Sequence, residues 1–160
     1  MAQSPHPSKP RPAAARRPTV DQAPRDSRTS DGSPAESTIL LVDDDKAVRE
    51  SLRRVLATEG WRVVSAASGE EALEFLAAHQ PDLMITDLCM AEVNGWDLLF
   101  HESLQRPKLP IFIVTALPLP AVGGADRFAA EFFQKPLDLD ALVLAIHRCL
   151  TSRRSLRAQC

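Results

Sequence analysis

The stretch from Pro81 to Gly95 reads P-D-L-M-I-T-D-L-C-M-A-E-V-N-G. Its apolar run, Leu83 to Ile85, stops at a single carboxylate, Asp87, and the chain then turns toward a helix expected to open near Gly95. An aspartate at the carboxyl end of a strand stands where open parallel α/β sheets keep their ligand crevice. Asp after a strand also serves simply to cap a turn. What the rest of the chain brings to the same end decides between the two.

Upstream, the composition changes abruptly at Thr38: Ile39 to Val42 form a short aliphatic strand ending in Asp43, Asp44 and Asp45. Lys46 to Glu59 then places Val48, Leu52, Val55 and Leu56 on one helical face, and Gly60 stands where a C-terminal glycine cap belongs. Trp61 to Ala66 reads as a second strand. Ser68 is set to cap a helix opening with Glu70 and Glu71 and running to His79, and Pro81 prevents its continuation. Asp45 reads better as a surface residue at a helix start than as a ligand.

Downstream, Gly95 to Leu104 repeats the helical period with Trp96, Leu99 and Phe100, and Leu109 to Thr115 gives a fourth strand. Leu117 to Asp126 contains Pro118, Pro120, Gly123 and Gly124, which make a poor helix, so a loop or distorted turn is expected. Phe128 to Gln134 supplies a last strand ending at Lys135-Pro136. Asp138 can cap a final helix that buries Leu139, Leu142, Val143, Ile146 and Leu150.

Strands alternating with helices imply right-handed crossovers and a parallel sheet covered on both faces, which the uniformly apolar strand interiors support. Parallel strands end on the same side. Asp43, Asp44, Asp45, Asp87, Thr115 and Lys135 therefore converge on one rim. Clustered carboxylates repel one another and are costly to bury alone, so a divalent cation is their natural partner, and oxygen ligands of this kind suit Mg²⁺ or Mn²⁺ better than zinc. A lysine ammonium and a threonine hydroxyl across from such a cation make a phosphoryl site, with Asp87 the candidate nucleophile for an acyl phosphate.

The motifs I-L-L-V-D-D-D (39–45), M-I-T-D-L-C-M (84–90), V-T-A (114–116) and F-F-Q-K-P-L (132–137), in this order, resemble the receiver domain of two-component response regulators. The resemblance covers residues 38–150 and implies a (βα)5, flavodoxin-like, doubly wound five-stranded parallel sheet, here with an irregular or shortened fourth helix. It implies that Asp87 is the phosphoacceptor and that Asp43, Asp44, Asp87 and the backbone carbonyl of Cys89 hold Mg²⁺. It also implies that Thr115 and Lys135 contact the phosphoryl oxygens, aided by the amides of Cys89 and Ala116, and that Thr115 and Phe132 form the switch. The Lys-Pro bond is commonly cis in the family. The partners implied are a sensor histidine kinase or histidine phosphotransfer protein and a downstream protein.

Three features depart from the family pattern. Ala91 stands where a proline is usual, the Thr115–Lys135 spacing is two residues short with Phe128 near the usual small-residue turn, and Pro118, Pro120, Gly123 and Gly124 should disrupt the fourth helix, which with the last strand normally forms much of the output face. With no room for an output module after Leu150, a stand-alone receiver is expected, one that catalyses only its own phosphorylation and dephosphorylation. Two alternatives are a receiver-like binding module that is never phosphorylated and an aspartate-nucleophile phosphohydrolase. The latter needs a general acid two residues after the nucleophile, where Cys89 stands.

Composition sets further bounds. The chain has 160 residues, enough for one domain with a tail. Residues 1–37 hold seven of the thirteen prolines and almost no large apolar side chains, so they read as a disordered tail; residues 151–160 read as a frayed basic end. Residues 38–150 carry 17 acidic and 10 basic side chains, a balance of −7 that argues against direct DNA binding. Cys89, Cys149 and Cys160 have no disulfide or zinc spacing, and His79, His101 and His147 have no metal spacing. Without a secretory signal or membrane-span pattern, the expected location is the cytoplasm.

Overall fold

The computed structural model describes residues 37–90, 97–98, 101–102, 105–117 and 129–157. Strands β1 (Thr38–Val42), β2 (Arg62–Ala66), β3 (Leu83–Thr86), β4 (Ile111–Thr115) and β5 (Glu131–Gln134) form a parallel sheet in the order β2-β1-β3-β4-β5. The order reverses direction beside β1, so the crevice of a doubly wound sheet lies at the carboxyl ends of β1 and β3.

The helices described in full are α1 (Lys46–Thr58), α2 (Gly69–Ala78) and α3 (Leu139–Arg157). Alternate strand residues feed the two faces of the sheet. Ile39, Leu41, Leu83, Ile85, Phe112 and Val114 meet Leu52 and Leu56 of α1 and Leu142 and Ile146 of α3. On the opposite face Leu40, Val42, Met84, Ile111 and Ile113 meet Ala72 and Leu76 of α2 together with the helical residue Leu98. The strand interiors are apolar on both sides because both sides are covered. Each fully buried leucine or isoleucine contributes roughly 2 kcal/mol by its removal from water.

The helix ends follow their chemistry. Asp45 accepts from the N–H groups of Ala47 and Val48 at 2.8 and 3.2 Å and caps α1. Gly60, just past its end, has φ 84°, a left-handed conformation that glycine adopts without the Cβ penalty. Ser68 Oγ accepts from Glu71 N–H at 3.2 Å, while the Glu71 carboxylate reaches back to Ala67 N–H at 2.8 Å.

Several boundaries differ from the sequence reading. β2 opens at Arg62, not Trp61, and β5 at Glu131. β4 begins at Ile111, two residues late: Leu109 N–H is taken by a turn to Arg106 O, and Pro110 has no N–H to donate to a ladder. Ser37, assigned to the tail, is 5% exposed, and its carbonyl accepts from Arg62 N–H. The frayed end expected after Leu150 is instead helix as far as Arg157. No proline or glycine interrupts it, and two of its arginines are anchored, Arg153 on the Lys108 carbonyl and Arg154 on Ser37 Oγ. The expected tail before Ser37, Ala91, Trp96, Leu99, Phe100, the irregular 118–126 segment with its shortened fourth helix, and Phe128 lie outside the described residues.

Candidate functional site

Backbone pairing brings the strand ends together before any side chain acts. Val42 sits opposite Thr86, and Thr115 opposite Gln134. Asp87 N–H donates to Val42 O at 3.1 Å, and Lys135 N–H to Thr115 O at 2.8 Å. Each site residue thus continues a ladder and inherits the rigidity of the sheet.

The centre of the site is the Lys135 ammonium. Its Nζ lies 2.7 Å from Asp87 Oδ2 and 3.0 Å from Asp43 Oδ2, bridging residues 48 and 92 positions away in sequence. Asp43 is 2% exposed and Asp87 5%, so both carboxylates are held almost out of water with one cation between them. Their other oxygens take local backbone donors: Asp45 N–H to Asp43 Oδ1 and Cys89 N–H to Asp87 Oδ1, each at 2.8 Å. Burial pushes the Asp43 carboxyl up from its ordinary value, which the hydrogen bonds from Lys135 and Asp45 offset only in part. Burial alone would pull the Lys135 ammonium down, but the hydrogen bonds to Asp87 and Asp43 prevail and raise it. Two buried carboxylates that share one ammonium among the described residues leave a negative balance, which favours a further cation.

Thr115 is fully buried at the end of β4, its Oγ1 accepting from Leu117 N–H at 3.2 Å and lying 3.8 Å from Cys89 Sγ. Cys89 is exposed at the rim. Phe132, half-buried on β5 opposite Ile113, packs against the core face that carries Met84 and Ile113, while Phe133 packs on the other face with its ring 5.7 Å from that of Phe112. The Lys135-Pro136 peptide is cis.

Asp43, Asp87, Thr115 and Lys135 are therefore assembled as the parallel-strand argument requires. Asp44 is exposed beside them, and among the described residues no three His, Cys, Asp or Glu side chains converge closely enough to ligate a metal in this conformation. The donor set still fits a hard cation, because the side chains brought to the rim by Asp43, Asp44 and Asp87 offer carboxylate oxygens. One contributor escaped the sequence reading. Arg49 of α1 donates from Nη1 to the Asp43 carbonyl at 2.5 Å, clamping the β1–α1 loop from the second helical turn. An arginine one turn after an acidic run was the available signal. His79 stacks on Phe75 and His101 pairs with Glu102 at 3.0 Å, both local contacts, whereas His147 of α3 pairs with Glu59 at 3.2 Å across 88 positions.

The family model of the response regulator receiver domain matches residues 39–147. The chain belongs to this family. Response regulator MprA of Mycobacterium ulcerans is 40% identical over 120 residues, covering 74% of this chain and 51% of that protein. DNA-binding transcriptional regulator NtrC of Azospirillum brasilense is 38% identical over 118 residues, covering 72% of this chain and 24% of that protein. The chain thus spans about half the length of the MprA regulators it matches and a quarter of NtrC. Among solved structures, a CheY-like receiver domain protein from Methanospirillum hungatei superimposes with TM-score 0.70 at 27% identity, over 76% of this chain and 98% of that one. TrrA from Thermotoga maritima, solved in complex with Mg²⁺ and BeF, gives TM-score 0.66 at 27% identity, over 71% of this chain and 98% of that one. The protein is a receiver domain of two-component signalling with the flavodoxin-like five-stranded fold. Among the described residues no helix is long and apolar enough to cross a membrane.

Proposed function

We propose that this receiver domain is a phosphorylation-dependent switch in which Asp87 accepts a phosphoryl group from a phosphohistidine. The observation that carries the reading is the Lys135 ammonium, held at 2.7 Å from Asp87 and 3.0 Å from Asp43 at the mouth of the sheet. A carboxylate oxygen of Asp87 attacks phosphorus in line with the departing imidazole nitrogen: the P–N bond breaks, an acyl phosphate O–P bond forms, and the imidazole, which keeps the proton already on its other ring nitrogen, leaves as the neutral base with the P–N electron pair. Lys135 balances charge on the equatorial oxygens, and the Thr115 hydroxyl with the amides of Cys89 and Ala116 can donate to them. Water attack at phosphorus later releases inorganic phosphate and restores Asp87.

Asp43, Asp44, Asp87 and the Cys89 carbonyl are the groups that would hold Mg²⁺ or Mn²⁺, which when bound supplies charge neutralisation at the phosphoryl oxygens. The all-oxygen donor set and the raised Asp43 carboxyl support that fit. In the phosphorylated state Thr115 is drawn to the phosphoryl group, and Phe132 turns into the space beside Ile113. The partners are a sensor histidine kinase or histidine phosphotransfer protein on the input side and a protein that reads the β4–β5 surface on the output side, acting in the cytoplasm.

The test is intact-protein mass spectrometry after incubation with Mg²⁺ and acetyl phosphate, paired with beryllofluoride titration. The wild type should gain one phosphoryl group, and Asp87→Asn should gain none. An equal gain in the variant, or none in the wild type, removes the proposal.

A further inference from the structure

At the opposite pole, before the first residues of β3 and β4, lies a half-open cavity of about 520 Å³. β3 alone separates it from Asp87 by four residues, roughly 13 Å at about 3.3 Å per residue. The domain as a whole is acidic, yet among the described residues no carboxylate lines this cavity, and the charged side chains on its walls are Arg106, Lys108 and Arg153. The three cations are not equally available. Arg106 is consumed by the structure, its Nε 3.1 Å from the buried Glu102 carboxylate and its remaining nitrogens donating to the carbonyls of Leu76 and His79. Arg153 donates one N–H to the Lys108 carbonyl, and among the described residues neither the rest of its guanidinium nor the exposed Lys108 ammonium has a partner. Beside them stand the amides of Gln80 and Gln105, also without partners among the described residues, and the apolar faces of Pro81, Pro107 and Leu109.

We infer that this cavity is a second ligand site, separate from the phosphorylation rim, for a small phosphate ester of nucleoside monophosphate size. Lys108 and Arg153 take the phosphate, as an ammonium and a partly free guanidinium do wherever compact anions are bound. The proline and leucine faces receive the organic body, and the two amides, each both donor and acceptor, read its polar edge. The volume falls within the range of small-molecule sites, about 300–1,000 Å³. Arg106, one of the lining residues, is fixed in place by its contacts to the end of α2 and to Glu102. The inference is independent of whether Asp87 is phosphorylated.

The experiment is a backbone-amide NMR titration of the full chain in EDTA with AMP, adenosine and inorganic phosphate as separate probes. AMP should shift the resonances of Gln80, Lys108 and Arg153 saturably, adenosine should leave them unmoved, and inorganic phosphate should bind about tenfold more weakly. Lys108→Ala, an exposed position that leaves folding intact, and Arg153→Gln should each weaken AMP severalfold while the Asp87 and Thr115 resonances keep their positions. Unchanged spectra at millimolar AMP, shifts confined to Asp87 and Lys135, or undiminished binding in both variants would overturn the inference. Phosphate binding as tightly as AMP would overturn its assignment to an ester.

Discussion

Replacing Lys135 with methionine keeps much of the side-chain volume and removes the charge that two buried carboxylates share. Asp43 and Asp87 are 2% and 5% exposed, and each gives one oxygen to Lys135 Nζ. Breaking a buried pair by deleting one partner costs about 3–5 kcal/mol, because the remaining charge is left without compensation. The Lys135 side chain keeps 23% of its surface exposed, so water screens part of the loss and the lower end, about 3 kcal/mol, applies. For a domain of this size that is roughly 12 °C in Tm. The assay is thermal unfolding in EDTA at pH 7 and again at pH 5. Burial already raises the Asp43 carboxyl, and without the ammonium its pKa climbs further, so the folded variant takes up protons more readily than its unfolded chain. Its deficit relative to the wild type should therefore shrink as the pH falls from 7 to 5. Adding Asp43→Asn to Lys135→Met should recover a large part of the lost stability, since the two changes act on one contact. A Lys135→Met protein as stable as wild type at pH 7 in EDTA, or one whose deficit is the same at pH 5, would refute the reasoning.

Leu40→Ala empties a fully buried position in β1 and should cost about 3 kcal/mol by urea unfolding. Ser68→Ala removes the oxygen that accepts Glu71 N–H and should cost about 1 kcal/mol in the same assay; no change would mean that Glu71 caps α2 unaided. At high pH in EDTA the Lys135 contribution, fully present below the ordinary value of 10.5, should be lost as the pH rises through its raised folded value, and Lys135→Met should lack this alkaline limb in a pH–stability curve. At the acid end, the hydrogen bonds from Val48 and Ala47 hold the Asp45 carboxyl below its ordinary 3.8, so its contribution, present above 3.8, fades as the pH falls through the lower folded value, and Asp45→Ala should flatten that limb. Arg49→Ala, which frees the Asp43 carbonyl, should slow phosphorylation by acetyl phosphate severalfold without abolishing it, whereas Arg49→Lys should restore part of the rate; indifference to both would remove Arg49 from the positioning of the acidic loop.

The sequence by itself determined the strand order of events along the chain and where each strand stops. The apolar runs at Ile39, Leu83 and Ile111 could be buried only on both faces, and each stops at Asp43, Asp87 or the Thr115 hydroxyl, which makes the rim legible once the strands are taken as parallel. Caps at Asp45, Gly60 and Ser68 were equally readable because they depend on one residue and its immediate neighbours. Tertiary structure alone decided how charge is apportioned at the rim. The carboxylates of Asp43 and Asp87 lean on Lys135 while Asp44 stays at the surface, because depth in the crevice is set by the packing of β1 against β3 and by the reach of a lysine from β5. It also decided that the basic end continues as helix to Arg157. Propensity there permits either state, and the deciding contacts, Arg153 to Lys108 and Arg154 to Ser37, join residues 45 and 117 positions apart that no local pattern relates.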